Sequence, residues 1–520
     1  MPASAAQGQG MKPASKLADE AYPDLLSRQT LGLQLQQYAK YVGPTDEHDY
    51  SLLDLRLYDD ARDESIAETG TFRKVGPTDF FHQFADADQP GQAQDLKDLD
   101  TIEQTKDLFL ERYASSYRVF SPPLLAAVYI LASNWWSYEA DLAKHHKPDV
   151  SILEEVAFRS LQETSQRPKI ATVQAGLLLL QRPRNITSWQ LTCQVVAIAQ
   201  DLGLHLDCSS WRIPVWERAL RRRLAWALFN QDTWSALIYA RPPHISLNNW
   251  AVQPVSSEDF PDDAVGEDED IASEVEKGRT LFNELISLSK MLNQVLEKLY
   301  SLQAELDIQH SYDATKAVLE RAKPIQVRLK SWWAELPDNL RMDATKSGAL
   351  SSVGYLHLAY FATEITLHRR ILRSLSPSTD PYLVQICRSA AKARLISAMD
   401  FFNRLKPEHL QSFWYFCSKF NFALIGTFAG LCFVTSVSQE EAEFYQRRLM
   451  EYRWTLRVSN KSAEFLEIAS GILESAVGSL LKAADSIDSR KLEFPMLNAA
   501  VTDGYMDGES GSLDTDMEGL

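Results

Sequence analysis

Residues 221–245 read RRRLAWALFNQDTWSALIYARPPHI, and this stretch decides the fold. Three arginines head a long apolar run, a single carboxylate, Asp232, lies near its middle, and Pro242-Pro243 ends it. Pro214 is placed to open the segment, because proline is tolerated in the first turn of a helix and breaks its interior. The predicted element is one helix from Pro214 to the double proline, apolar beyond a single stripe and therefore packed among other helices. Arg218 and Arg222 share one face of it, and Arg221 and Arg223 project to either side.

The flanking sequence repeats this character. SPPLLAAVYILASNWW starts with Ser121 as an N-cap and prolines in the first turn. SILEEVAFRSLQ starts with a capping-box pattern, Ser151 to Glu154. TVQAGLLLL is apolar almost all round, and WQLTCQVVAIAQDLGLH stops at Gly203, a natural residue just past a helix end. SSEDFPDDAVGEDED, residues 256–270, holds eight carboxylates and no base, and reads as a solvated linker between two helical blocks. The second block is predicted as one long helix, 271–306, followed by helices near 314–336, 350–375, 381–405, 410–437 and 441–484. FALIGTFAGLCFVTSV, residues 422–437, is its most apolar run; at less than the ~20 residues of a membrane span it reads as a buried central helix.

Before this array the pattern is mixed, with SLLDLRLYD and TFRKV both strand-like. The expected class is all-α: a large helical array with a small mixed N-terminal region and disordered termini. The expected divisions are a variable segment 1–45, a mixed region 46–115, a helical domain 116–485 containing the acidic linker, and an acidic tail 486–520.

Charge and cysteine usage narrow the chemistry. The net charge of −17 opposes a phosphate backbone, so nucleic-acid contact would need a separate basic module. Five cysteines, none in a C-x-x-C pair, read as reduced thiols. The arginine cluster is therefore expected to cover apolar surface and to pair with carboxylates of adjacent helices. Asp232, among Leu228, Phe229, Trp234 and Ala236, should be met by a base, with Arg241, Arg369 and Arg370 as candidates. DDARD (Asp59, Asp60, Asp63) has the D-D-x-x-D spacing with which all-α prenyl-diphosphate enzymes hold magnesium, but it lies in a turn-rich region without a partner motif. His145-His146 lacks the spacing of a helical metal pair, and no H-E-x-x-H, G-x-S-x-G or phosphate-binding loop occurs. No catalytic, cofactor or metal residue is expected.

The ordered set TVQAGLLLL, AIAQDLGLHLD, ERALRRRLAWALFNQDTWSALIYARPPHIS, then LYS (299–301), LKSWWAELP (329–337) and LHLAYFATEITLHRRIL (356–372), resembles the middle homology region of the fungal-specific transcription factor family. The resemblance covers roughly residues 120–484, with Arg221, Arg222, Arg223, Trp226, Asp232, Arg241 and Pro242 as its motif positions, structural rather than catalytic. Two positions depart: Ala225 stands where a second tryptophan is usual, and Ala240 replaces the glycine of the usual G-R-P. Members usually carry an N-terminal binuclear zinc cluster of six cysteines, whereas the first cysteine here is Cys193. The chain as given is thus expected to hold no zinc and to reach DNA only through a missing zinc cluster or a partner, as a truncated product or as a member that regulates without reading DNA.

The resemblance implies a nuclear transcription regulator, working with other regulators or the transcription machinery, and admits a small-molecule effector and a homodimer; no membrane partner is expected. The tail, with Phe494, Met496, Tyr505, Met506, Leu513 and Met517 among its acids, fits either a transactivating segment or a plain disordered terminus. The rival readings are a non-DNA-binding co-regulator or cytoplasmic scaffold, and a magnesium-dependent prenyl-diphosphate enzyme using Asp59, Asp60 and Asp63.

Overall fold

The computed structural model describes residues 30, 31, 37–43, 53, 58, 64–67, 70–85, 121–182, 188–260, 269–344, 348–459 and 463–486. The expected disordered ends, the DDARD motif and most of SLLDLRLYD lie outside these residues.

Four strands, β1 (Gln37–Tyr41), β2 (Glu64–Ala67), β3 (Gly70–Lys74) and β4 (Phe80–Ala85), form an antiparallel sheet in the order β1-β4-β3-β2. TFRKV supplies β3 as expected, but β1 falls in the segment assigned as variable. Its alternation is short, and its ladder comes from β4, where Tyr41 pairs with Phe81.

The remaining described elements are helical. The first block comprises α1 (Pro122–Ala132), α2 (Ser151–Thr164), α3 (Ile170–Leu179), α4 (Ser188–Asp201) and α5 (Val215–Tyr239). The second comprises α6 (Glu269–Val295), α7 (Leu302–Gln309), α8 (Ala314–Glu335), α9 (Val353–Ser374), α10 (Pro381–Asn403), α11 (Ser418–Val434), α12 (Gln439–Ser459) and α13 (Glu464–Ser486). The all-α reading therefore holds, with the small sheet at the N-terminal side.

Three of the expected long helices are divided. The first ends in a π turn at Leu296–Tyr300, because Ser301 leaves helical geometry and its hydroxyl accepts from Ala304 N at 3.2 Å, capping α7. The stretch 441–484 is a hairpin of α12 and α13. Likewise 410–437 resolves into a single turn at Pro407–Leu410 and the buried α11. The Ser151 capping box is also corrected. The helix begins at Ser151 itself, Asp149 Oδ1 accepts from Ser151 N at 2.9 Å and from its hydroxyl at 2.6 Å, and Glu154 turns to Arg182.

Helices α4 and α5 end alike. Past α4, Leu204 N donates to Ala199 O and Gly203 N to Gln200 O, with Gly203 at φ +67°. Past α5, Arg241 N donates to Ala236 O and Ala240 N to Leu237 O, and Ala240 takes φ +51°. Both are Schellman ends, which place their turning residue in the left-handed region where glycine is favoured. The family's usual glycine thus has a conformational reason, and Ala240 carries the left-handed strain.

The packing crosses the acidic linker. Ile286 of α6 belongs to the core of the first block, and Trp234 of α5 to that of the second. Trp234 Nε1 donates to Ser289 Oγ at 2.9 Å. The sheet seats on the α4–α5 junction, where Trp211 meets Phe81 edge-on at 5.3 Å and donates to Asp79 at 3.1 Å.

Candidate functional site

The arginines of the triplet hold two different segments. Arg221 is buried; it donates to Glu217 of its own helix at 3.1 Å and to Leu202 O at 2.8 Å, beside the Trp211 ring. Glu217 in turn accepts from Leu31 N at 3.0 Å, tying the N-terminal segment to α5. Arg222 pairs with Asp259. Arg223 lies over the Phe260 ring, which Arg279 faces too. The expectation of carboxylates on adjacent helices is thus corrected: the partners are Arg221's own helix, the start of the linker, and an aromatic ring. The linker reading is corrected with it. Asp259 is buried, and it accepts from Ser256 N at 2.8 Å as well as binding Arg222, so 256–260 is a docked strap.

Trp226 is buried, donates to Gln253 O at 2.8 Å and carries Lys290 over its ring at 4.1 Å. Asp232 is fully buried, but none of the three expected arginines meets it. His244 donates from Nδ1 to Asp232 Oδ1 at 2.7 Å, and Ile245 N donates to Oδ2 at 2.8 Å. The double proline folds the chain back and delivers the imidazole that directly follows it, leaving Arg241 and Pro242 exposed. Arg370 instead binds Glu305 at 2.6 Å, and Arg369 lies near Tyr300. The motif residues are strung along α5 and its exit and do not converge on one site.

A different set does converge. A cleft of about 480 Å³ opens between the blocks, with Trp135, Tyr138 and Gln181 on one wall and Trp414, Lys419 and Glu464 among those on the other. Its size is that of a small-molecule site, where pockets run to roughly 300–1,000 Å³. The rim is closed by the first block reaching across. Trp135 Nε1 donates to Gln411 O at 3.1 Å, and the Tyr138 hydroxyl donates to the Gln411 side chain. Trp414 and Phe465 lie ring to ring at 4.9 Å, with Trp414 Nε1 donating to His409 O at 2.9 Å.

Lys419 and Lys147 are the cleft's cations, Lys419 on the wall of the second block. For Lys419, burial pulls the amine down to about 8, against the opposing influence of the Glu464 carboxylate and Cys417. Gln181 joins the cleft to the motif helix, donating to Gln231 Oε1 at 3.1 Å while its own oxygen accepts from Phe416 N at 3.3 Å. Gln231 is the residue before Asp232, so the cleft wall and the motif helix share one hydrogen-bonded chain. This arrangement suits binding: aromatic walls, two amines, one carboxylate and a rim held by two hydrogen bonds. Among the described residues no group of three or more His, Cys, Asp or Glu side chains could hold a metal, and no helix is long and apolar enough to cross a membrane.

The sequence reading missed these residues as a set. Its traces were there: Trp135-Trp136, of which Trp136 is buried and Trp135 lines the cleft, and Lys419 just ahead of the apolar run.

Residues 101–334 match the family model described as fungal specific transcription factor domain. The chain belongs to the fungal-specific transcription factor family. It is similar to the transcriptional activator protein DAL81 of Saccharomyces cerevisiae, 34% identical over 489 residues, which cover 82% of this chain and 50% of that protein. It is also similar to the acetamidase regulatory protein of Aspergillus fumigatus, 28% identical over 299 residues, 55% of this chain and 35% of that one. An uncharacterized transcriptional regulatory protein of Schizosaccharomyces pombe is 27% identical over 201 residues, 38% of this chain and 29% of its own. The chain therefore spans half or less of the length of these relatives. No solved structure matches.

Proposed function

We propose that this chain is the effector-sensing regulatory part of a fungal transcription activator, acting in the nucleus by binding rather than catalysis. Family membership supports the role in transcription. The observation that carries the sensing role is the cleft, whose walls come from both sides of the acidic linker and whose rim is held by two hydrogen bonds to Gln411. A ligand there bridges the blocks, and any ligand preferring one rim geometry shifts the population toward it. Contact with DNA is assigned to a zinc cluster outside these residues or to a partner regulator, since the charge of −17 gives the chain no general attraction to phosphate. The motif arginines are engaged within the fold, which leaves them no part in that contact.

Genome-wide chromatin occupancy of the tagged full-length protein tests this reading. Occupancy concentrated at promoters, with target transcripts falling when the gene is deleted, is the expected result. A protein held in the cytoplasm, with no promoter occupancy and no transcript change, overturns it in favour of a scaffold.

A further inference from the structure

Helix α12 carries an apolar stripe that no described element covers. Met450, Trp454 and Val458 follow one another at intervals of four, so they stack on one helix face; they are 43%, 63% and 55% exposed. The opposite face, with Tyr445, Leu449, Tyr452 and Leu456, is buried, so the helix is firmly seated and the stripe is a true outer surface. A tryptophan flanked by two aliphatic side chains in one patch marks an interaction site.

Exposed charges of both signs border the stripe. Arg447 and Arg457 are exposed beside it. The other two arginines of α12 are engaged, Arg448 with Asp400 and Glu451 and Arg453 with Glu474. Of the acids on this side, Glu451 is held by Arg448, and Glu443 lies two turns before Met450 and accepts from Gln439. Through Arg447 and Arg457 the face fits large apolar side chains with carboxylates beside them.

The chain itself contains such a segment. Between Asp503 and Glu518 there are six acids with Tyr505, Met506, Leu513 and Met517 among them, and no lysine or arginine follows Lys491. Helices α12 and α13 run antiparallel, with Arg453 opposite Glu474. Ser486, twelve residues past Glu474, is then level with Glu441. From that level the stripe begins about 14 Å along α12 and ends about 26 Å along it, at 1.5 Å per residue. Seventeen residues separate Ser486 from Asp503, and a random coil of that length would span about 21–25 Å in root-mean-square distance. A tether whose length matches its span brings the effective local concentration close to its maximum.

We propose that residues 503–518 dock on the Met450–Trp454–Val458 face of α12, with their carboxylates on Arg447 and Arg457. Face and segment then mask each other, and a partner that takes either one must release the other.

The test uses the full-length chain labelled with 5-fluorotryptophan and a nitroxide on Ser510→Cys in a Cys193→Ser background, Cys193 being the exposed native thiol. The Trp454 fluorine signal is assigned through Trp454→Phe. The expected result is loss of most of that signal with the oxidised label, recovery on reduction, and no change on tenfold dilution. Arg447→Glu with Arg457→Glu restores the signal at an unchanged melting midpoint. A Trp454 signal indifferent to the label leaves the face to another protein and overturns the proposal. Loss that vanishes on dilution, and appears on mixing fluorinated with separately spin-labelled chains, makes a second copy the occupant and overturns it too. Loss that survives the double charge reversal overturns the role of the arginines.

Discussion

Replacing Asp232 separates an architectural carboxylate from a functional one. Both of its oxygens are used, Oδ1 by His244 Nδ1 at 2.7 Å and Oδ2 by Ile245 N at 2.8 Å, and the side chain is fully buried. Asp232→Ala orphans two donors. Ile245 N is buried and suffers the full loss, about 1–3 kcal/mol. The His244 side chain is 23% exposed and can turn toward water, so its share is smaller. Breaking a fully buried pair costs about 3–5 kcal/mol, and the partial exposure of His244 lowers the expectation to about 2–4 kcal/mol. Asp232→Asn keeps an acceptor for Ile245 N and can offer its amide to the unprotonated Nδ1 of the other imidazole tautomer, so about 1 kcal/mol is expected. Arg241→Ala, at an exposed position, should be neutral within about 0.5 kcal/mol. Urea denaturation of the full-length chain measures all three, with reporter activity normalised to folded protein. An Asp232→Ala chain as stable as the parent but inactive would refute the architectural reading. An Arg241→Ala chain as damaged as Asp232→Ala would refute the His244 assignment.

Ala240→Gly should stabilise the chain, by relief of about 1–2 kcal/mol of left-handed strain less about 0.4–1 kcal/mol of added unfolded-state entropy; a lower urea midpoint than the parent's contradicts this. Gly203→Ala should destabilise by more than the ~1–2 kcal/mol of left-handed strain, because its Cβ would stand 2.8 Å from Phe81 Cζ; the readout is the melting midpoint, and a neutral effect counts against the close approach. Burial pushes the His357 and His368 imidazoles down to about 4, whereas in the unfolded chain they titrate near ~6.5. Between those values the unfolded state binds more protons, so this stability is complete above pH ~6.5 and is lost as pH falls toward 4. The slope reaches about 1.4 kcal/mol per pH unit for each histidine. Denaturation at pH 7, 6 and 5 should show the decline, and His357→Gln with His368→Gln should flatten it; a decline unchanged in the double variant contradicts the assignment.

What could be read from sequence was local. The helix from Pro214 to Pro242, the buried runs of α3 and α11, and the glycine end at Gly203 each follow from a few neighbouring residues. What failed depends on distant partners. Asp259 looks solvated among eight carboxylates, and only Arg222, 37 residues away, makes it a buried anchor. Strand β1 needs β4, more than forty residues on, before its backbone is paired. The cleft rim joins Trp135 to Gln411 across 276 residues, and no pattern within either segment announces the other. Asp232 was the intermediate case. Its need for a base followed from its apolar surroundings, but the choice of His244 over Arg241 followed from the direction in which the double proline turned the chain.

The central claim is that the cleft between the blocks holds a small molecule. The direct measurement incubates purified full-length protein with the low-molecular-weight fraction of a fungal cell extract, removes unbound solute, denatures the protein and identifies released compounds by mass spectrometry. Lys419→Met and Trp135→Ala variants are treated in parallel, after circular dichroism has shown them folded. The expected result is one compound released at close to one equivalent by the parent and depleted at least tenfold from both variants, which re-added at a hundredfold excess over its Kd stabilises the parent by about 2.7 kcal/mol. Identical release profiles from the parent and both folded variants would contradict the claim.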